Sequence, residues 1–462
     1  MRFLALGYRL PPLTSVSRTK LHGLRAFSST ASRRTGPTTT IRGQQVESEP
    51  TKNHFTVGAD GKIKVKEPFF EEPLGLPWKD GYGWPQLDFG ESVGPGGRYV
   101  ICRKLGWGGY SSTWLARDQE QNRYVALKVL TGWANELMKR GNTWEHEALR
   151  RISNPPPSPH CLHLLFEFTI PGRGSSGDHT CFVTELFAGD INTLSKRYRF
   201  PFPLSICKRI LYHTLCGISH FHSRGVVHTD LKPDNILVSC ALDTEGIDRL
   251  LESQPSRKHF PEESYDGIVQ SAVSQPLPMP SLQEAASRTF VVADFGNAQP
   301  IGKHLTDFIT PPGLRPPEIV IGGPWNEKVD IWTFGCLIFE IITTDPLFVY
   351  APSNIHHLDE DSFLLYQMMC FTCEEFSAQQ LVASEDAPKF FGHDRNLKQR
   401  PPLMAVPVEQ CLKEHRTERS LSISDEDINA IGAIMRRCLH LDPMQRASAA
   451  ELLSDPFFYG VE

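Results

Sequence analysis

No apolar run in this 462-residue chain is long enough to cross a bilayer: the longest uncharged one, residues 331–339, stops at Glu340, well short of the ~18 residues a span needs. Cysteines number only eleven, and Cys370 and Cys373 form the single C-x-x-C pair, without the second pair that a zinc site of this kind requires. So thin a scatter reads as reduced thiols, buried or incidental, and excludes a disulfide framework. A basic excess is missing too. Lys and Arg total 48 against 53 Asp and Glu, a formal net charge of −5, so the composition carries no nucleic-acid footprint. With 40% hydrophobic and 22% charged residues the chain is globular, and its length allows a sizeable core in two lobes.

The last absence is local: no acidic residue precedes Glu47. Residues 1–46 hold eight Lys or Arg and twelve Ser or Thr, the composition of an organellar transit peptide, in which an Arg-rich surface is drawn inward by a negative-inside potential. Within them, Arg25-Ala26-Phe27-Ser28-Ser29-Thr30 resembles the mitochondrial two-step cleavage signal, with Arg25 ten residues before a mature end at Thr35. A disordered basic tail is the alternative. Loss of residues 1–34 would leave 41 basic against 53 acidic residues, a net charge of −12. Residues 47–98 show no periodicity and carry Pro73, Pro77, Pro85 and Pro95 among many glycines, so they read as an extended lead-in.

From Tyr99 the pattern changes. Short runs rich in β-formers, at residues 99–105, 113–116 and 124–130, predict three antiparallel strands. Between the first two lies Leu105-Gly106-Trp107-Gly108-Gly109-Tyr110-Ser111-Ser112-Thr113, whose glycines would let backbone N–H groups approach phosphate oxygens with no Cβ in the way. The third strand contains Val125-Ala126-Leu127-Lys128, and a Lys at the end of a buried strand is costly unless paired. A helix over 142–152 supplies the partner. Glu147 is read as that carboxylate, because Leu149 and Ile152 follow it, with Glu145 as the alternative.

Residues 204–222 place Cys207, Ile210, Leu211, Leu215, Ile218 and Phe221 on one helical face, which predicts a core helix. It leads into His228-Thr229-Asp230-Leu231-Lys232-Pro233-Asp234-Asn235, followed much later by Asp294-Phe295-Gly296. Glycine-rich loop, strand Lys, H-x-D-x-x-x-x-N and D-F-G stand in order, and the chain resembles the eukaryotic protein kinases. The resemblance implies an α+β bilobal fold over 99–458, with a small antiparallel β lobe (99–186) and a mainly helical lobe (187–458). It implies phosphoryl transfer from ATP with Mg²⁺, a reaction that needs positioning and charge neutralisation rather than covalent help. Asp230 would accept the hydroxyl proton, Lys232 would offset γ-phosphoryl charge, Lys128 would grip the α/β-phosphates, and Asn235 and Asp294 would offer hard oxygens to Mg²⁺. Leu105, Ala126, the gatekeeper Thr184 and Leu237 would line the nucleotide site, and the adenine edge would pair with the Glu185 carbonyl and Phe187 N–H. Thr113 and the loop residues from Gly106 to Ser111 would line the rest. Glu318 would pair with Arg446 as a buried structural link.

Finer features are similar to the serine/arginine-protein kinases: Lys104-Leu105-Gly106-Trp107-Gly108 with Ser111 for the third glycine, Thr229 for the Arg of H-R-D, Asp294-Phe295-Gly296-Asn297-Ala298, and Trp78-Lys79-Asp80-Gly81-Tyr82. That family also carries a spacer between the motifs ending at Asn235 and beginning at Asp294, here residues 239–288, proline-rich and read as mobile. Without an Arg beside Asp230 there is no pocket for a phosphorylated activation loop, which predicts constitutive activity. Two departures fall where substrate docks: Pro311 replaces the Thr that touches the catalytic Asp, and Leu314 replaces a Tyr. They leave the family's Arg/Ser-rich substrates open, although Asp359-Glu360-Asp361, Glu374-Glu375 and Glu385-Asp386 offer acidic docking. The expected partners are protein substrates, without direct contact to nucleic acid or membrane, and the chain is read as a monomer. An inactive kinase-like scaffold and a small-molecule kinase are the competing readings. Compartment is divided: residues 1–46 point to mitochondria, the family to nucleus and cytoplasm.

Overall fold

The computed structural model describes residues 54–198 and 201–461; the presequence of residues 1–46 lies outside them. The small lobe is built on six antiparallel strands, the three expected from Tyr99 to Leu130, a fourth at 179–184 that the sequence reads as strand leading into the hinge, and two more: β1 (Ser92–Val93), β2 (Tyr99–Trp107), β3 (Ser111–Asp118), β4 (Arg123–Leu130), β5 (Phe166–Ile170) and β6 (His179–Thr184), in the order β1-β2-β3-β4-β6-β5. The period of two decides its faces. Tyr99, Ile101, Trp114, Ala116, Val125, Leu127 and Val129 bury one side in a core closed by Leu87, Val93, Ile170, Cys181 and Val183. The register pairs Thr113 with Lys128, Leu115 with Ala126 and Ala126 with Thr184, so Thr113, Ala126, Lys128 and Thr184 share the opposite face.

Two helices follow β4. Helix α1 (Gly132–Lys139) starts where the Thr131 hydroxyl accepts from the Ala134 N–H, and α2 (Glu145–Ser153) is three residues shorter at its start than the spacing predicts. In the large lobe, α3 (Leu204–Ser223) buries all six apolar residues assigned to its core face. A later helix over Lys328–Thr343 is buried almost all round and forms the centre of the lobe, ending where Thr344 turns left-handed at φ 67°. The Glu318–Arg446 link is present and bidentate, at 2.7 and 2.6 Å.

The segment 239–288 is not the mobile spacer its prolines suggest. It carries a helix over Thr244–Ser253 and a hairpin, Glu262–Ser264 with Gly267–Val269, and buries Ile247, Val269, Ala272 and Leu277. Although it leaves from and returns to large-lobe strands, it packs on the small lobe. The Tyr124 hydroxyl donates to Asp248 at 2.5 Å, and the Gln275 N–H donates to the Lys104 carbonyl at 2.9 Å. It also meets the lead-in, which buries Leu74, Leu76 and Trp84 and sends Glu71 and Glu72 to the buried Lys104 ammonium. The contacts between the lead-in and this segment join residues nearly 200 positions apart, as with the Phe70 N–H donating to Glu262 at 3.0 Å, so no local pattern announces them.

Candidate active site

The turn between β2 and β3 is closed by the Gly108 N–H donating to the Ser111 carbonyl at 2.8 Å. A Cβ on Gly106, Gly108 or Gly109 would meet no atom within 4 Å, and none of the three has a left-handed backbone. Nothing within the protein therefore demands glycine here, and the open space suits close approach of a phosphate. Trp107 and Tyr110 are exposed beside it, Leu105 is half-buried, and Ala126 and Thr184 are buried on the face above the cleft. At the hinge the Glu185 carboxylate turns to His163, 2.8 Å from Nδ1, and the Thr184 hydroxyl donates to the Glu185 carbonyl at 3.2 Å. Leu237 packs against the large-lobe core, and Phe187 opens the strand beside it, opposite Ser239.

Lys128 is held by Glu145 at 2.5 Å and by Asp294 at 3.0 Å. Glu147, chosen from the sequence, is the wrong carboxylate: it is half-buried and pairs with Arg151 on its own helix at 2.9 Å. The helical period explains the correction. Glu145, Ala148, Leu149 and Ile152 stand at i, i+3, i+4 and i+7 and are all buried, whereas Glu147 points away with Arg151. Burial opposes the Lys128 charge, yet Asp294 and Glu145 outweigh it and hold its ammonium above the usual range. Lys128 in turn holds the Asp294 carboxyl down to about 2. Burial pushes the Glu145 carboxyl up while Lys128 pulls it the other way. Glu145→Gln should lower phosphate transfer about ten- to a hundredfold, the worth of a charge-assisted hydrogen bond, while Glu147→Gln leaves it within about twofold. Steady-state rates of the two variants check this, and equal losses would refute the assignment.

Three donors converge on one oxygen of Asp230. Lys232 Nζ donates to Oδ2 at 2.8 Å, Asn297 Nδ2 at 3.1 Å and Asn235 Nδ2 at 3.4 Å, the last also donating to the Asp230 carbonyl at 2.8 Å. The Asp230 Oδ1 and the Asn235 Oδ1 make no hydrogen bond among the described residues, so one carboxylate oxygen and one amide oxygen remain for substrate and cation. Asp294, at φ 62°, presents a carboxylate whose side chain is 50% exposed. This hard-oxygen set fits Mg²⁺, which keeps several waters and takes few protein ligands.

Sequence reasoning missed the groups that hold this loop. Asp330, fully buried, accepts from the His228 N–H, the Thr229 N–H and the His222 ring, each at 2.9 Å. That anchorage sustains the left-handed Thr229, φ 63°. The Asp230 N–H donates to His228 Nδ1 at 3.2 Å, so Nε2 carries the proton it gives to the Ala293 carbonyl at 3.0 Å. Asn297 was visible only as a family marker, yet its amide reaches the Asp230 carboxylate. Hydrogen bonds tie the activation segment to the catalytic loop: the Thr229 hydroxyl donates to the Asn297 carbonyl at 2.7 Å, and the Thr310 N–H donates to the Thr229 carbonyl at 2.9 Å. The buried Gln299 amide accepts from the Leu305 and Thr306 N–H groups and donates to the Thr306 carbonyl.

The protein kinase domain model matches residues 99–253 and 282–458, so the intervening segment falls outside the shared pattern. Among curated proteins the chain is similar to serine/threonine-protein kinase SRPK of Physarum polycephalum, 26% identical over 79% of this chain and 86% of the relative. Protein kinase dsk1 of Schizosaccharomyces pombe is 24% identical over 78% and 80%. A serine/threonine protein kinase of Aspergillus fumigatus is 28% identical over 88% and 94%. With that domain matched over most of its length, and with a fold and motif order that agree, the chain belongs to the protein kinase family and is a serine/threonine protein kinase resembling the SRPK kinases.

Proposed function

We propose that the protein transfers the γ-phosphoryl group of ATP to Ser or Thr hydroxyls in basic, Arg/Ser-rich protein segments. The observation that carries the chemistry is the convergence of Lys232, Asn235 and Asn297 on Asp230 Oδ2. It leaves Oδ1 to accept the hydroxyl proton and orient the nucleophile. Lys128, held charged by Glu145, would bind the α/β-phosphates, and Lys232 would offset charge on the group in transit. Asn235 and Asp294 would hold Mg²⁺, which when bound neutralises phosphate charge. The Glu185 carbonyl and Phe187 N–H would receive the adenine edge.

A basic substrate is supported by Glu340, which sits near Asp234 of the catalytic loop and makes no ion pair among the described residues. Burial, with the Asp234 charge added, pushes its carboxyl up to about 7. Of the acidic clusters further on, Glu374 is taken by His440 and the Leu441 N–H, and Asp386 by Lys389, whereas Glu360, Glu375 and Glu385 are exposed. Transfer from Mg-ATP to a peptide panel that includes Arg-Ser repeats tests the reading, with the same enzyme assayed after phosphatase treatment. Preference for the repeats, and rates unchanged by the phosphatase, are expected. With its carboxyl pushed up to about 7, Glu340 gains its charge as pH rises through that value, so KM for an Arg peptide should fall over the same range and Glu340→Gln should flatten the trend. A neutral peptide preferred at every pH would overturn the substrate assignment.

The acid-free, Arg-rich composition of residues 1–46 supports import into mitochondria. A reporter carrying these residues should collect there; its appearance in nucleus or cytosol would favour the family's usual compartments.

A further inference from the structure

The tip of the glycine-rich loop is held from outside the kinase motifs. Trp84, in the lead-in, is buried among Leu74, Tyr82 and Val269 and donates its indole N–H to the Gly108 carbonyl at 3.3 Å. Its ring also meets the edge of Trp107, with centroids 6.2 Å apart and planes at 86°. The lead-in is itself fixed on either side of this contact: the Gly132 N–H donates to the Gly83 carbonyl at 2.7 Å, and the Trp133 N–H to the Tyr82 carbonyl at 3.2 Å. Val269 belongs to the segment 239–288, so that segment completes the socket in which the indole lies.

The consequence follows from peptide geometry. In a trans peptide the C=O and the next N–H point in opposite directions. A Gly108 carbonyl held toward Trp84 therefore sends the Gly109 N–H away from it, and that N–H makes no hydrogen bond among the described residues. Glycine at 108 and 109 would otherwise let this peptide flip at little cost, since a Cβ at either position meets nothing within 4 Å.

We infer that Trp84 is a positioning residue for the nucleotide phosphates: it sets the orientation of the Gly108–Gly109 peptide and so preorganises the Gly109 N–H as a donor to a phosphate oxygen. The inference rests on the ATP reading above and adds to it a residue outside the matched domain. An indole braced in this way acts on the phosphates and leaves adenine recognition at the hinge untouched.

The test uses the full chain and measures direct binding of Mg-ATP and of adenosine by calorimetry, beside steady-state kinetics. Trp84→Phe keeps the ring and removes the donor. A second variant, with 3-benzothienylalanine at position 84, replaces only the indole N–H by sulfur and preserves the shape. Both should bind ATP about three- to tenfold more weakly, the loss expected for one hydrogen bond, with adenosine affinity unchanged. KM for ATP should rise by the same factor while kcat at saturating ATP stays within about twofold. Equal weakening for adenosine and ATP would reduce Trp84 to a packing residue, and unchanged ATP affinity in both variants would refute the brace. Failure of the unaltered protein to bind ATP would instead remove the nucleotide reading, and this inference with it.

Discussion

Asp230→Asn should reduce phosphate transfer by about 10²–10⁴-fold, the contribution of a positioned general base, while ATP binding stays close to that of the unaltered protein. The hydrogen bonds explain why so small a change would cost so much. Lys232, Asn235 and Asn297 all donate to Oδ2, so the amide oxygen of an Asn would settle there. Its NH₂ would then occupy the place of Oδ1, presenting a donor where the substrate hydroxyl needs an acceptor. The hold on the α/β-phosphates is not disturbed, since Lys128 remains tied to Glu145 and Asp294. Single-turnover transfer together with ATP titration separates the two effects. A variant that keeps more than about a tenth of the rate would show that Asp230 is not the base.

The largest loss of stability is expected in the large lobe, at Arg446. Its side chain is fully buried, and besides its two bonds to Glu318 it donates Nε to the His440 carbonyl and Nη1 to the Lys328 carbonyl, both at 3.0 Å. The guanidinium also lies 5.1 Å from the Trp332 ring centre, at the side of the central helix. Arg446→Met would leave the Glu318 carboxylate buried with no cation and orphan two carbonyls, a loss of about 3–5 kcal/mol. Glu318→Leu should cost a similar amount for the mirror-image reason. The double variant is expected to lose much less than the sum, because a buried pair removed as a unit strands no charge. Urea denaturation of the four proteins measures this; additive losses would mean that the two side chains act separately.

Both predictions concern residues that the amino-acid sequence already marks, though for different reasons. The loop from His228 to Asn235 is legible because it carries its chemistry within eight consecutive residues, and α3 likewise shows its core face by spacing alone. The pairing of Glu318 with Arg446 spans 128 positions and was accessible only through the family resemblance. The choice between Glu145 and Glu147 went astray because it weighed the apolar residues that follow without counting the helical turn. From Glu145, Leu149 and Ile152 are four and seven residues on; from Glu147 they are two and five, off the face.

Motif order by itself pointed to the family and, through that resemblance, to the chemistry and to most of the candidate site, since catalytic loops need particular side chains at short fixed intervals. Only the tertiary structure decided which carboxylate holds Lys128, that Asn297 donates to Asp230, and that Asp330 anchors the loop across 101 positions. It alone showed that the proline-rich segments 54–98 and 239–288 are ordered, since they acquire their hydrophobic partners from each other and from the small lobe. Such burial leaves no period in either segment, because an irregular chain meets its partners one at a time rather than along a repeating face.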